Sequence, residues 1–104
     1  GRSSFQSPAY NAVKMIEAAM GGEPFTLPAG CYVNCDKLGY KNVMMAMPTT
    51  IDKTGVHFTA PQGTEEEMAS LAKSYEHLCK MRDEIVELGI VPAVADWTKE
   101  NPNL

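Results

Sequence analysis

Nowhere do about 20 apolar residues run together, the length that a membrane-spanning helix needs, so no such span is expected. No segment shows the charged, apolar and small-residue order of a secretory signal, although a cut N-terminus would hide one. Basic residues are few and scattered: 9 Lys and Arg stand against 13 Asp and Glu, giving a net charge of −4. A nucleic-acid binder needs a concentrated basic face, so that class falls away. Cysteine is scarce and odd in number. Cys31, Cys35 and Cys79 argue against a disulfide framework. The spacing of the first two is poor for a zinc knuckle, and no second pair completes four ligands, so no metal site is expected. They read as reduced, mostly buried thiols of a cytoplasmic protein. The chain has no internal repeat and no low-complexity stretch. Gly21-Gly22 is not a phosphate loop, because no strand precedes it in the required order.

What is present suits one domain of 104 residues, with 44% apolar and 21% charged residues. These are ordinary globular values, and so small a chain should have modest stability. Met is frequent, at 7 residues; it fills irregular interiors and marks apolar surfaces that meet partners. The chain opens on Gly1-Arg2-Ser3-Ser4-Phe5-Gln6-Ser7-Pro8 with no initiator Met. This start reads as the interior of a longer protein, cut just before a helix.

That helix has Ser7 as its expected cap and Pro8 in its first position, where a missing N–H is harmless. Ala9, Ala12, Val13, Ile16, Ala19 and Met20 recur at helical spacing and form an apolar stripe, flanked by Met15 and Ala18. Asn11, Lys14 and Glu17 make the polar side, and Gly21-Gly22 ends the helix. An extended, proline-restricted segment over 23–28 follows. Residues 29–34 read as a strand, with Cys31 and Val33 facing opposite to Tyr32. Residues 42–47 read as a second strand, continuously apolar and so expected to be covered on both faces, ending or bending at Pro48. Residues 56–59, after the turn Lys53-Thr54-Gly55, read as a third. Three strands joined by short turns suggest an antiparallel meander. Thr64-Glu65-Glu66-Glu67 is a capping box that opens a helix over 64–88. Met68, Leu71, Ala72, Tyr75, Leu78, Cys79, Ile85 and Val86 form its apolar face. Arg82 falls on or near that stripe, so its charged end must reach solvent or a carboxylate. The last residues, with two prolines, are expected to lie over the surface or to fray. The fold expected is therefore α+β: an antiparallel sheet of about three strands with an N-terminal helix and a long C-terminal helix.

Few residues suggest chemistry. His57 and His77 have no Ser, Cys or carboxylate at the spacing of a catalytic pair and read as surface or structural histidines. Glu65, Glu66 and Glu67 are explained by capping and the helix dipole. Asp83, Glu84 and Glu87 read as a solvated face pairing with Lys80 and Arg82. Ser3, Ser4 and Ser7 are either terminal serines plus a cap, or hydroxyls lining a pocket for a polar substrate.

Together these segments resemble the C-terminal, substrate-binding domain of the lactate/malate dehydrogenase family. Ser3-Ser4-Phe5-Gln6-Ser7-Pro8-Ala9-Tyr10 and the helix it enters are similar to that family's substrate-pocket helix. Cys31-Tyr32-Val33, then Leu38-Gly39-Tyr40-Lys41-Asn42-Val43-Met44-Met45-Ala46-Met47-Pro48, then Lys53-Thr54-Gly55-Val56, look like its closing strands. Residues 64–88 look like its last helix, and the serine-rich entry and long tail look more like the malate branch. Ala46-Met47 departs from the commoner Gly-Val before that proline.

The resemblance implies that residues 1–104 are part of a substrate domain whose NAD-binding domain is absent. It implies hydride transfer between a small 2-hydroxy/2-oxo dicarboxylate and NAD in the full-length enzyme, which forms a homo-oligomer. It places Ser3 and Ser4 at the substrate border and Ser7 toward the nicotinamide. No catalytic residue is expected in this chain, and the chain alone should bind no NAD and be inactive. A lactate or related 2-hydroxy acid dehydrogenase is the nearest alternative. A non-enzymatic acidic interaction module is the alternative of another class.

Overall fold

Helix α1 (Gln6–Ala19) begins one residue before Ser7, in a computed structural model that describes residues 4–104. Phe5 occupies the cap position and makes no side-chain cap bond, so the expected Ser7 cap is corrected. Ser7 and Pro8 instead sit inside the first turn. Pro8 is harmless there because the first N–H groups of a helix have no intrahelical partner. The C-terminus closes as the glycines predict. Gly21 takes φ +99°, its N–H reaches Ala18 O at 3.1 Å, and Gly22 N–H reaches Glu17 O at 2.8 Å. These two bonds make a Schellman motif, whose left-handed residue favours glycine.

Strands β1 (Phe25–Cys35), β2 (Tyr40–Asp52) and β3 (Gly55–Phe58) form an antiparallel sheet in the order β1-β2-β3. β1 starts earlier than expected and absorbs part of the proline-rich segment. β2 runs through Pro48 and does not end there. Pro48 lacks an N–H, but its carbonyl accepts Thr59 N–H at 3.0 Å, so the chain stays tied at that point. β2 and β3 pair with Asp52 opposite Gly55 and Thr49 opposite Phe58.

β2 is covered on one face and not on both, a second correction. Val43, Met45, Met47 and Thr49 are buried, whereas Met44 is 61% exposed. Alternation of this kind marks a sheet with one wet face. In β1, Cys31, Val33 and Cys35 share the buried face.

Helix α2 (Glu65–Glu87) has the expected capping box: Glu67 N–H donates to Thr64 Oγ1 at 3.2 Å, and Thr64 N–H donates to Glu67 Oε2 at 2.8 Å. Gly89, at φ +73°, follows the helix end. The tail is ordered into a 3₁₀ turn (Val94–Asp96) and a single helical turn, α3 (Trp97–Glu100), rather than frayed. Trp97 ties it by donating its indole N–H to Pro92 O at 2.8 Å.

The chain divides into two compact units. One comprises the chain up to Ala29 together with Met47–Thr59. Its buried residues are Ala18, Met47 and Thr49. The apolar stripe of α1 faces out: Ala12, Val13, Ile16, Ala19 and Met20 are exposed, while Asn11, Lys14, Met15 and Ala18 lie on the covered side. The other unit comprises Gly30–Ala46 and Ala60–Leu104, with Cys31, Val33, Cys35, Tyr40, Val43 and Met45 buried. Burying a side chain such as Val33 fully is worth about 1.5–3 kcal/mol.

Candidate functional site

The second unit is built around an irregularity in β2. Asn42 has φ +55° and is the one described non-glycine residue with positive φ. Asn tolerates this left-handed conformation because its short amide bonds locally. Here Asn34 Oδ1 accepts Asn42 N–H at 3.1 Å, and Tyr32 donates its hydroxyl to Asn42 Oδ1 at 2.5 Å. The bend breaks the in–out alternation between Tyr40 and Val43, both of which are buried. It also turns the Lys41 and Asn42 backbone toward α2. Tyr75 Oη accepts Lys41 N–H at 3.0 Å. Arg82 Nη1 donates to Lys41 O at 3.2 Å and Asn42 O at 3.1 Å.

The same guanidinium meets Asp83 Oδ1 at 2.8 Å, as its place on the apolar stripe demanded. Burial works to lower the Arg82 pKa, but the hydrogen bond and charge of Asp83 outweigh it, and the net direction is upward. The Tyr75 hydroxyl is pushed up by its hydrogen bond to Cys79 and by burial, against the pull of the Lys41 N–H. Above it, the Tyr40 and Tyr75 rings stack with centroids 4.2 Å apart and planes 13° apart. Lys41 also forms an ion pair with Asp36 across the preceding turn, which holds the Asp36 carboxyl below its usual range.

Beside this clamp lies a cavity of about 280 Å³ lined by Tyr32, Val43, Met44, Leu78, Met81 and Trp97, with Asn42, Arg82 and Ile85 completing the wall. Its surface is almost wholly apolar. Sequence reasoning missed it, because Tyr32, Met44 and Trp97 come from separate segments. The one legible sign was Asn42 two residues after Gly39-Tyr40, a residue type that accepts left-handed backbone.

The first unit carries a polar turn. Asp52 Oδ1 accepts Thr54 N–H at 2.8 Å and the Thr54 hydroxyl, while His57 Nε2 lies 2.7 Å from Thr54 Oγ1 and 3.3 Å from Asp52 Oδ1. Gly55, at φ +126°, lets the hairpin close behind them. The Thr54 hydroxyl and amide hold the Asp52 carboxyl below its ordinary pKa. A hydrolytic triad needs the carboxylate and the nucleophile on opposite nitrogens of the imidazole. Here both face Nε2, so the cluster braces a turn.

Ser3 lies outside the described residues. Ser4 is exposed just before α1, and Ser7 is exposed in its first turn. Neither belongs to the cavity wall above. Among the described residues, no group of three or more His, Cys, Asp or Glu could hold a metal, and no helix is long and apolar enough to cross a membrane.

No protein-family model matches the chain. Curated relatives do. The chain is 35% identical over 75 residues to a malate dehydrogenase of Geobacillus kaustophilus, 71% of this chain and 24% of that protein. It is 33% identical over the same length and shares to malate dehydrogenases of Anoxybacillus flavithermus and of a Geobacillus species. The matched stretch thus spans about a quarter of the length of those relatives.

Proposed function

We propose, from the premise that this chain is homologous over 75 of its residues to malate dehydrogenases, that it is part of the substrate domain of an NAD-dependent malate dehydrogenase. The longer protein would oxidise malate to oxaloacetate, with NAD taking the hydride. The observation that carries the reading is the shared sequence with several proteins of that one name, together with an α+β fold of three strands and flanking helices. The name favours malate over lactate.

In this reading Ser3 and Ser4 border the dicarboxylate and Ser7 lies toward the nicotinamide. Gly21 and Gly22 have their N–H groups committed to Ala18 and Glu17 carbonyls, so they cannot cradle a phosphate. In this reading NAD is held by other parts of the longer protein, and this chain alone is inactive. The outward stripe of α1 supports a partner surface, another domain or a second copy in a homo-oligomer. A cysteine count of three, which suits no disulfide framework, supports a cytoplasmic setting.

The test has two arms. Genomic sequence upstream of Gly1 should encode, in frame, a Gly-rich nucleotide fingerprint and a catalytic His. The 104-residue chain should give no malate-dependent nicotinamide absorbance change and no calorimetric signal with NAD, whereas the longer protein should give both. Turnover by the chain alone would sink the fragment reading, and an upstream frame without the fingerprint would favour a non-enzymatic acidic module.

A further inference from the structure

We propose that the cavity between β2, α2 and Trp97 is a binding site for a small, uncharged aromatic molecule, entered past Met44 and Met81. This inference stands apart from the dehydrogenase reading. The wall is apolar, and the polar side chains on it are already engaged. Tyr32 gives its hydroxyl to Asn42, and Arg82 is shared between Asp83 and the Lys41 and Asn42 carbonyls. Among the described residues, no buried side-chain nitrogen or oxygen is left without a partner. A charged ligand would lose its hydration and gain no free partner, so an uncharged one is favoured.

Size and shape narrow the class. A dry apolar cavity of about 150 Å³ accepts benzene; this one, at about 280 Å³, has room for a larger ring system. Ligand pockets for drug-sized molecules start near 300 Å³, so the occupant is small. The Tyr32 and Trp97 rings stand 6.2 Å apart at 53°, offering an aromatic face and an aromatic edge. Met44 and Met81 add thioethers, which contact aromatic rings favourably and adapt to shape. Both are at least half exposed, as is usual at a mouth open to solvent.

The probe is 1-naphthol, titrated into the 104-residue chain while methionine methyl and Trp97 indole N–H resonances are followed by NMR. Saturable one-to-one shifts at Met44, Met81 and Trp97, with Met15 and Met20 unmoved, are expected. Met44→Glu, at an exposed position that leaves the fold intact by circular dichroism, should weaken binding about tenfold or more by placing a charge at the mouth. The anion 2-naphthoate should bind more weakly than 1-naphthol. The proposal is overturned by absence of saturation, by shifts centred on α1, by equal affinity in Met44→Glu, or by tighter binding of the anion. Sedimentation supplies the rival occupant: if 1-naphthol fails and Met44→Glu dissolves a dimer, the cavity belongs to a second copy.

Discussion

Arg82 shows how one residue can settle a neighbourhood. A guanidinium on an apolar helix stripe is unfavourable unless its N–H groups find acceptors or water. Asp83 and two carbonyls of the β2 bend supply them, and the bend in turn depends on Asn42 accepting φ +55°. Asp52 plays the smaller counterpart at the β2–β3 turn. Its folded-state pKa is depressed by the Thr54 hydroxyl and amide, so its contribution is complete above the ordinary carboxylate value near 3.9 and is lost as pH falls through the lower folded midpoint. Carbon-detected NMR titration should therefore place the Asp52 midpoint below that of a model peptide. Thr54→Ala should move it back up. An unshifted Asp52 would mean that the turn bonds do not persist in solution.

The elements differ in how firmly they are specified. α2 carries its own start signal, and its inward face is the one the periodicity marks, although none of its residues is fully buried. Its packing in the second unit runs through Tyr75 on Tyr40, Arg82 on the β2 bend, and Leu78 in the cavity wall. Leu78 is half-buried, so Leu78→Ala should cost less than the 2–5 kcal/mol of a core truncation, about 1–2 kcal/mol. Urea denaturation of the two proteins decides this. A loss within error of zero would mean that α2 does not rest on the sheet in solution.

At the scale of the molecule, the outward apolar stripe of α1 is the feature that calls for company. Val13, Ile16 and Met20 are each more than half exposed, on a helix whose covered side buries only Ala18. Contiguous apolar patches of this kind mark contact surfaces. Without a partner domain the simplest cover is a second copy around a two-fold axis. Sedimentation velocity over a range of concentrations should show self-association, and Ile16→Glu should shift the equilibrium to monomer. A chain that is monomeric throughout would refute this. A dimer indifferent to Ile16→Glu would move the contact to the exposed sheet face around Met44.

Much of the fold was legible in the residues themselves, because its signals are local. Thr64 and Glu67 lie three apart and cap each other without outside help. Gly21 and Gly22 end α1 because only the backbone next to them decides the turn. The alternation at Cys31, Tyr32 and Val33 follows from strand geometry alone. Relatedness to malate dehydrogenases entered as a resemblance to that family's segments, and the identity over 75 residues bears it out. Tertiary structure decided the rest, because each point depends on what a residue meets far along the chain. The periodicity of α1 showed that it has an apolar face, but which side is covered depends on whether something lies over that face. The run 43–47 is apolar throughout, and only the arrangement of neighbours leaves Met44 wet while Met45 is buried. Pro48 stays within β2 because Thr59 comes back to its carbonyl. The cavity exists because the Asn42 bend, the Arg82 clamp and the Trp97 turn, drawn from three separate stretches, meet at one place.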